Sequence, residues 1–500
     1  MLKINHLTIT TLKGRRLLED FSFVLEKGDK IALIGEEGNG KSTLLKIMAG
    51  IDVDSYVTFS GSVDCDERIG YLPQKLNAKE MEKSVIDYID EDLDYNHLYT
   101  LIPSIDIDVS LIDDRKMKTL SGGERVRIML LKILYEDPDI LLLDEPSNDL
   151  DLKTLIWLEE FMIATRLPMI FISHDETLLS NCANGILHLE QLKRKSEPHM
   201  SYAGTDYQTY SEERLAYIKR NNMIAAKQRS ELKKQMDKWR QIYQKVEYRQ
   251  TTISRQDPHG GQLLKKKMHA VKAQEKILEK KKESLLETYE PEEAIDIFFD
   301  EVHINPNKVI LDAHIDALYA KDKLLGQNID LKVLGKDKIC IIGDNGSGKT
   351  TLLKKIYELM KGLEGVSIGY MPQNYDELLD NEITPIEYLW DGRKREELGK
   401  VRSFLGALRF TSEEMEHKIK ELSEGQKCKI LLVKMILSGN EVLLLDEPTR
   451  NLSPLSGPKI RQILCDFKGT IISISHDRKF IEEVADKVYE LKDGRLRLLD

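Results

Sequence analysis

Two segments of the chain have the residue types and the glycine spacing of a phosphate-binding loop. They read Gly35-Glu36-Glu37-Gly38-Asn39-Gly40-Lys41-Ser42-Thr43 and Gly343-Asp344-Asn345-Gly346-Ser347-Gly348-Lys349-Thr350-Thr351. In this pattern the glycines let consecutive backbone N–H groups turn towards phosphate oxygens, and the dipole of the following helix favours an anion. We expect Lys41 and Lys349 to reach the β- and γ-phosphates of ATP, and the hydroxyls of Ser42 and Thr350 to coordinate Mg²⁺. A glycine turn that binds no nucleotide is the alternative.

An Asp-Glu pair ends an apolar run in each half of the chain. Asp144 and Asp446 follow four apolar residues, a position from which a carboxylate meets Mg²⁺ directly or through water. Glu145 and Glu447 come next and can polarise the attacking water as general bases. The alternative is a solvated strand end, which the apolar run and the matching phosphate loop disfavour.

A histidine follows a further apolar run in each half. His174 comes after residues 168–173, and His476 comes after residues 469–475. A lone histidine is more often structural, but these two occupy matched positions. We therefore expect both to contact the γ-phosphate and to take part in catalysis.

These motifs belong to a longer repeat. Three further blocks recur in the same order: Tyr71-Leu72-Pro73-Gln74 as Tyr370-Met371-Pro372-Gln373, Leu120-Ser121-Gly122-Gly123-Glu124 as Leu422-Ser423-Glu424-Gly425-Gln426, and Ser173-His174-Asp175 as Ser475-His476-Asp477. The offset is 308 residues between Lys41 and Lys349, 299 between Gln74 and Gln373, and 302 between Ser121 and Ser423. A nearly constant offset indicates a duplicated domain.

The elements that must position these motifs have α/β character. Short apolar runs at 31–34 and 339–342 enter the glycine turns, which is typical of strands buried on both faces. Helices are expected at 43–48 and 351–360, and further buried strands end just before the two histidines. Alternating strands and helices predict a mostly parallel sheet with helices on its faces, once in each copy.

The bulk composition is that of a globular protein. Of 500 residues, 41% are hydrophobic and 32% charged, and no apolar run approaches the roughly 18 residues that cross a bilayer. The N-terminal residues have no signal-peptide pattern. The five cysteines are far apart in the sequence, so we expect neither a disulfide framework nor a zinc site, and we expect a cytoplasmic protein.

Charge is distributed unevenly along the chain. Between Ser211 and Leu286 there are 20 Lys or Arg and 9 Asp or Glu, a balance of +11 within a chain of net charge −11, so the remainder carries −22. Amphipathic helices are predicted over 211–249 and about 263–286, separated by a turn at 257–261. They predict an antiparallel, basic hairpin. Its lysines either contact a polyanionic partner or form a solvated face, and Trp239 and Tyr243 are expected to pack between the helices rather than to stack on bases.

The order of phosphate loop, glutamine, Leu-Ser-Gly-Gly-Glu, Asp-Glu-Pro and histidine resembles the ABC ATPase superfamily. The likeness covers about 190 residues in each half, and the Ser-Gly-Gly signature is its most specific part. It implies that two cassettes close head to tail, with each ATP held between one phosphate loop and the opposite signature. It further implies that Gln74 and Gln373 join the metal ligands, and that an aromatic such as Tyr319 stacks on adenine.

The resemblance therefore implies two composite nucleotide sites. The first joins the loop residues Gly35, Gly38, Asn39, Gly40, Lys41, Ser42 and Thr43 to Ser423 and Gly425. The second joins Gly343, Gly346, Ser347, Gly348, Lys349, Thr350 and Thr351 to Ser121, Gly122 and Gly123. The metal ligands are then Ser42, Gln74 and Asp144 in one site, and Thr350, Gln373 and Asp446 in the other.

Departures from the family pattern gather at the Lys41 site. The second signature has Glu424 where glycine is usual, and the segment after its Asp-Glu-Pro ends in Ser453 where the first copy has Asp151. No aromatic stands at 10–12, the counterpart of Tyr319. We expect unequal sites, with slower hydrolysis or a more regulatory part at Lys41.

Two cassettes joined by a basic hairpin resemble the ABC-F family in particular. The stretch 202–210, rich in tyrosine, is similar to the segment that enters the hairpin there. This likeness implies a monomer with no membrane domain, which binds the ribosome when ATP closes its cassettes. The hairpin, about 211–286, then reaches rRNA, tRNA and the peptidyl-transferase centre, and ATP hydrolysis releases the protein.

The spacing of the motifs favours one subgroup of that family. Gln74 to Ser121 spans 47 positions and Gln373 to Ser423 spans 50, which leaves no room for the arm that housekeeping members often insert; we also expect no C-terminal extension. Members without the arm include antibiotic-resistance proteins that protect the ribosome. The alternatives are a translation factor without drug specificity, the ATP-hydrolysing subunit of a transporter, and a chromosome-maintenance ATPase. The predicted domains are a cassette at 1–195, the hairpin linker at 196–298 and a second cassette at 299–500.

Overall fold

The computed structural model describes residues 1–90, 94–112, 114–191, 197–252, 258–283, 285, 299, 302, 304–361, 365–390, 392 and 395–499. The chain forms two compact units. One comprises Met1–Gln208 with Glu292–Asp500 and contains both phosphate loops; the other comprises Thr209–Pro291 and contains the basic helices. The three-part division at 195 and 298 stays a prediction.

A mostly parallel sheet lies at the centre of the first half of the chain. In spatial order its described strands are β5 (Ile69–Leu72), β6 (Ile140–Asp144), β7 (Met169–Ile172), β3 (Lys30–Ile34), β8 (Gly185–Gln191) and β9 (Glu197–Ala203). Neighbouring strands are parallel except β9, which pairs antiparallel with β8. The inner strands β6 and β7 are buried along their whole length, as their unbroken apolar sequences require.

The second half repeats this sheet. Its described strands, in spatial order, are β13 (Ile368–Met371), β14 (Val442–Asp446), β15 (Thr470–Ile474), β12 (Lys338–Ile342), β16 (Lys487–Lys492) and β17 (Arg495–Leu499). Only β17 is antiparallel to its neighbour. The strand order matches the first sheet strand for strand, which confirms the α/β fold and the duplication predicted from the motifs.

Each half also has an antiparallel sheet. In the first half, β1 (Leu2–Thr11) pairs with β2 (Arg16–Leu25) and with β4 (Val57–Asp64). In the second half, β10 (Val309–Ala320) pairs with β11 (Lys323–Leu334). Leu44 and Leu45, on the helix after the first phosphate loop, are fully buried in the core that joins this sheet to the parallel one. Leu352 and Leu353 do the same in the second half.

Helices cover the sheets and connect their strands. The first half contains α1 (Lys41–Met48), α2 (Ala78–Glu82), α3 (Val85–Ile89), α4 (Tyr95–Ile105), α5 (Gly122–Tyr135), α6 (Leu152–Ala164) and α7 (Glu176–Cys182). The second half contains α10 (Lys349–Lys361), α11 (Pro385–Leu389), α12 (Arg395–Ala407), α13 (Ser412–Glu416), α14 (Glu424–Leu437), α15 (Gly457–Asp466) and α16 (Arg478–Val484). Across the described residues, no helix is long and apolar enough to cross a membrane.

The unit between the two halves is a helical pair, α8 (Tyr207–Thr252) and α9 (Pro258–Glu283). Trp239 Nε1 donates to the Val271 carbonyl at 2.9 Å, and Gln250 Nε2 donates to the Leu264 carbonyl at 3.3 Å. Later residues of α8 therefore contact earlier residues of α9, so the helices are antiparallel as predicted. The Trp239 contact supports packing between the helices as the role of this side chain.

The break between the two helices is shorter than the sequence suggested. A turn was expected at 257–261, but α9 begins at Pro258 and runs through both glycines. Proline suits the first turn of a helix, because its missing N–H would have no partner there. Residues 253–257, including Arg255, lie outside the described part of the chain.

Candidate functional site

Both phosphate loops leave the end of a central parallel strand and enter a helix. The first joins β3 to α1 and the second joins β12 to α10. Gly35 and Gly343 have φ of 146° and 149°, and a Cβ at Gly35 would lie 2.3 Å from the Leu189 carbonyl oxygen. Any side chain at this position would therefore push the loop away from β8. The loop's approach to the sheet depends on glycine here.

The lysine of each loop is buried and folds over the loop's own carbonyls. Lys41 Nζ donates to the carbonyls of Gly35 and Glu36 at 2.7 and 3.1 Å. Lys349 Nζ makes the equivalent bonds to Gly343 and Asp344 at 2.7 and 2.9 Å. Burial lowers the pKa of Lys349, and the nearby carboxylate of Glu447 opposes that shift. The ammonium thus stays inside the loop, where it can meet a phosphate with little loss of side-chain freedom.

A hydroxyl and a carboxylate meet next to each lysine. Ser42 Oγ donates to Asp144 Oδ1 at 2.9 Å, and the Tyr71 hydroxyl donates to Asp144 Oδ2 at 3.2 Å. Asp446 is buried and its carboxylate oxygens have no hydrogen bond of normal geometry from the described residues, although Thr350 lies near enough to lower its pKa against the dominant effect of burial. Hard oxygen donors of this kind suit Mg²⁺, which keeps waters and phosphate oxygens as further ligands.

Glu145 is held as an ionised carboxylate by three polar neighbours. Gln74 Nε2 donates to its Oε2 at 2.8 Å, Asn148 Nδ2 also contacts Oε2, and His174 Nε2 lies 3.2 Å from Oε1. Burial acts to raise the pKa of Glu145, but the hydrogen bond and charge of His174, helped by Lys41, lower it to about 2. The structure thus brings together the predicted glutamine, glutamate and histidine.

The second copy arranges the same residues with fewer polar contacts. Glu447 accepts a hydrogen bond from the His476 backbone N–H at 3.2 Å, and His476 Nε2 lies 3.7 Å from Oε1. Burial and the neighbouring Asp446 raise the pKa of Glu447 to about 8, and burial together with Lys349 lowers the pKa of His476 to about 4. The two glutamates therefore differ in protonation at neutral pH.

Both glutamates also have strained backbones. Their φ angles are 51° for Glu145 and 54° for Glu447, in the left-handed region that side chains other than glycine rarely adopt. Strain of this kind persists where the surrounding structure fixes it, and it is concentrated at functional positions. Here the left-handed backbone conformation changes the chain direction directly after a buried strand, at the residue that carries the carboxylate.

The serine of each signature caps a helix. Ser121 is the N-cap of α5 and Ser423 the N-cap of α14, and each forms a reciprocal pair of bonds with the residue three positions later, Glu124 or Gln426. The following backbone N–H groups of each helix are thereby presented at the surface between the cassettes.

Two cavities between the halves combine a loop with the opposite signature. One, of about 620 Å³, is lined by Gly346, Gly348, Lys349, Thr350, Thr351, Gln373, Asp446, Glu447 and His476, with Gly122 from the first half. The other, of about 660 Å³, is lined by Gly38 and Asn39 with Ser423 and Gly425. Each cavity thus has lining residues from both halves, but Lys41, Ser42 and Thr43 are absent from the lining of the second cavity, and Ser121 and Gly123 from that of the first. Tyr319 is 56% exposed and outside the cavity lining, where Ala320 stands instead; its role with adenine stays a prediction.

Glu37 is a contact residue between the cassettes that the sequence motifs did not single out. Its Oε2 accepts the Gly425 backbone N–H of the opposite signature at 2.8 Å, while Glu36 Oε1 lies 3.1 Å from Arg409 NH1. Glu424, which the sequence singled out, instead pairs with Lys427 at 2.9 Å and lies outside the cavity lining. The signal for Glu37 was the difference between the two loops, which read Glu36-Glu37 and Asp344-Asn345.

The matched residue Asn345 makes a different contact. Its backbone N–H donates to Asp151 Oδ2 at 3.4 Å, and its side-chain amide donates to the Asp149 carbonyl at 2.5 Å. In the other cavity Ser453 stands in place of Asp151, beside Glu37. The loss of a carboxylate at 453 accompanies the gain of one at 37, so the two substitutions avoid a repulsion between like charges.

We predict that Glu37→Asn tightens ATP binding at the Lys41 site by roughly threefold to tenfold, because an anion about 4 Å from a phosphate charge costs about 1 kcal/mol in a water-filled cavity. Binding would be measured with a fluorescent ATP analogue in a Lys349→Ala background, so that one site is observed. Asp66→Asn, the same charge change at an exposed position, serves as the control. Unchanged or weaker binding would show that Glu37 does not oppose the nucleotide.

Known proteins share this fold and these motifs. A family model described as ABC transporter matches residues 18–148 and 326–450. ABC transporter F family member 5 of Arabidopsis thaliana is 28% identical over 97% of this chain and 74% of its own length. ATP-binding protein Uup of Buchnera aphidicola subsp. Acyrthosiphon pisum (strain APS) is 29% identical over 97% and 79%.

A solved structure extends the comparison to the fold. The archaeal ribosome recycling factor in complex with the ribosomal stalk protein aP1 superposes with a TM-score of 0.62 at 17% identity, over 99% of this chain and 89% of the other. At that identity the match concerns the fold, two linked cassettes. The family model and the F-family relatives, together with two complete sets of motifs, establish that the chain belongs to the ABC transporter family and, within it, to the F family of twin-cassette ATP hydrolases.

Proposed function

We propose that this ATPase acts on the ribosome in the cytoplasm. ATP binding closes the two cassettes of a monomer, the hairpin contacts rRNA and tRNA near the peptidyl-transferase centre, and hydrolysis releases the protein. The observation that carries this proposal is a strongly basic helical pair set between two acidic cassettes. The names of the relatives add support, since an F-family protein and a ribosome recycling factor are among them.

A stripe of buried apolar residues runs along α8, and a run of lysines on α9 is exposed. Ile218, Ala225, Leu232 and Val246 are buried at intervals of seven residues or multiples of seven, the spacing of a helix–helix seam. Lys265, Lys266 and Lys267 are exposed. At 1.5 Å per residue the 46 residues of α8 span about 69 Å. Such a surface suits phosphate contacts that are independent of sequence.

The two ATP sites drive the cycle. Ser42 with Asp144 and Gln74, and Thr350 with Asp446 and Gln373, would hold Mg²⁺, which would supply charge neutralisation at the phosphates. Lys41 and Lys349 bind the β- and γ-phosphates. Glu145, which is ionised at neutral pH, orients and deprotonates the attacking water. Glu447 takes the same role once it has released its own proton, and His174 and His476 hold the γ-phosphate beside the two glutamates.

Two finer assignments follow from the sequence. The short spacing between glutamine loop and signature favours a ribosome-protection factor that confers antibiotic resistance, with a translation factor lacking drug specificity as the alternative. A transporter subunit is the second alternative. The basic hairpin argues against it, because a transporter subunit needs a surface for a membrane partner rather than a polycation between its cassettes.

We predict that the double variant Glu145→Gln, Glu447→Gln loses ATP turnover by at least about 100-fold, the scale of general-base catalysis. ATP binding is retained because the phosphate loops are intact, and the protein accumulates on ribosomes with ATP. Steady-state turnover and co-sedimentation with ribosomes would be measured beside Glu160→Gln, an exposed control on α6. Turnover near the unsubstituted level would refute the assigned bases.

Residues 249–262, the tip of the hairpin, are predicted to produce the protein's effect on translation or drug susceptibility. Replacing residues 249–262 with a short Gly-Ser turn should leave folding and ATP binding unchanged, because the helical seam and all cassette motifs remain. The effect on translation or drug susceptibility should disappear. An effect as large as that of the intact chain would remove the hairpin from the mechanism.

The lysines of the helical stem, the part of the hairpin outside residues 249–262, are predicted to contribute to the free energy of ribosome binding. Reversing charge at Lys265, Lys266 and Lys267 should weaken ribosome binding and reduce its salt dependence, because each lost phosphate contact lowers the slope of log K against log salt by about 0.7–0.9. Co-sedimentation across a series of KCl concentrations would measure both. Replacing the same lysines with arginine is the matched control, and an unaltered salt slope would exclude these lysines from the contact.

A further inference from the structure

Two ion pairs join the cassettes beside their histidine loops. Arg461 on α15 donates to both carboxylate oxygens of Glu176 at the start of α7, at 2.7 and 3.1 Å. Arg478 at the start of α16 lies 2.6 Å from Glu159 Oε2 on α6, and 3.5 Å from Asp175 Oδ1. In both pairs the acid belongs to the first cassette and the arginine to the second.

The two pairs occupy equivalent positions of the duplicated domain. Arg461 stands 302 residues after Glu159, and Arg478 stands 302 residues after Glu176. The same offset separates Asp144 from Asp446, so the alignment needs no gap in this region. The contact between Arg461 and Glu176 is therefore the counterpart of the contact between Glu159 and Arg478, with the charges exchanged.

These side chains are withdrawn from solvent. Arg461 is 3% exposed, Glu176 and Glu159 are each 14% exposed, and Arg478 is 23% exposed. Burial raises the pKa of Glu176, and the Arg461 guanidinium opposes that rise. Charges in such a place are tolerated when paired and are strongly unfavourable when a like charge replaces the partner.

The network also reaches the catalytic loops. Arg461 Nε contacts Glu483 at 2.7 Å, and its NH1 lies 3.9 Å from Asp477, the neighbour of His476. Asp477 in turn accepts a hydrogen bond from Thr449 Oγ1 at 2.8 Å. Glu176 follows His174 by two positions. Correct pairing of the cassettes thus fixes the backbone on which both histidines stand.

We propose that these four residues form a charge code that selects the pairing of the first cassette with the second and rejects the pairing of like cassettes. Two first cassettes, from two copies of the chain, would set Glu159 against Glu176. Two second cassettes would set Arg461 against Arg478. The two cassettes have nearly the same shape, so shape alone does not distinguish a pair of like cassettes from the correct pair. Repulsion between like charges disfavours the pair of like cassettes.

The test exchanges the charges in the full chain. Glu159→Arg with Glu176→Arg gives four arginines at the interface, and Arg461→Glu with Arg478→Glu gives four acids. Each double variant should lower ATP turnover and ATP-induced closure, followed by energy transfer between dyes on the two cassettes, on the order of tenfold or more. Combining all four substitutions restores opposite charges across the interface and should recover part of both signals, because Arg461→Glu still leaves a repulsion with Glu483. Glu160→Arg, an exposed charge reversal on the same helix, should match the original chain.

Each outcome decides the proposal. Double variants with unaltered turnover would overturn it, because the pairs would then be dispensable. A fourfold variant that binds fluorescent ADP and melts normally, yet stays as inactive as the double variants, would also overturn it, because the residues would then act only within their own cassettes. Should the double variants fail to fold, the neutral pair Glu176→Gln and Arg461→Gln replaces them. The combined neutral variant should then lose no more turnover than the worse single one, and additive losses would contradict the code.

Discussion

Parallel pairing of the central strands is the constraint on which both sites depend. In each sheet the strand before the phosphate loop lies next to the strand before the histidine, and that strand lies next to the one before the Asp-Glu pair. Because these strands are parallel, their carboxyl ends meet at one edge. Ser42 and Asp144, 102 residues apart, are thereby brought to 2.9 Å. Loosening this register would separate every catalytic pair at once.

Burial at that edge sets the electrostatics of the catalytic carboxylates. A carboxylate withdrawn from water favours its protonated form unless donors or cations compensate. Glu145 has that compensation from Gln74, Asn148 and His174, whereas Glu447 accepts a hydrogen bond mainly from a backbone N–H. The two sites therefore begin the cycle in different charge states, although their motifs read almost alike. This difference arises from geometry around the glutamates rather than from their identity.

Local patterns in the sequence were enough to predict the strands, the loops and the helix pair. Lys41, Asp144 and their counterparts were identifiable because a phosphate loop needs fixed spacing within a few residues. Contacts between the cassettes were not predictable in this way. Glu37 meets Gly425 across 388 residues, and Arg461 meets Glu176 across 285. No pattern within a few residues of the sequence indicates contacts over such separations. Only the folded chain shows that Glu37, rather than Glu424, faces the opposite helix.

Pro258 is a second position at which the local sequence does not predict the structure. The motif Asp257-Pro258-His259-Gly260-Gly261 contains strong turn formers, yet the helix starts at the proline. Two glycines inside a helix cost on the order of 1 kcal/mol each relative to alanine. The antiparallel partner contacts the same helix one turn later, where Gln250 bonds to the Leu264 carbonyl. Tertiary contacts thus override local propensity where the hairpin closes.

Duplication followed by divergence explains why the departures come in matched sets. Where the first phosphate loop gained Glu37, the facing segment has Ser453 instead of a carboxylate, and the other site keeps Asn345 opposite Asp151. Where the second cassette has Arg461 and Arg478, the first has Glu159 and Glu176. In the first set, two first cassettes would bring Glu37 against Asp151. In the second set, either half paired with itself would bring like charges together. The asymmetry of the ATP sites and the asymmetry of the interface are therefore consequences of one heterologous contact.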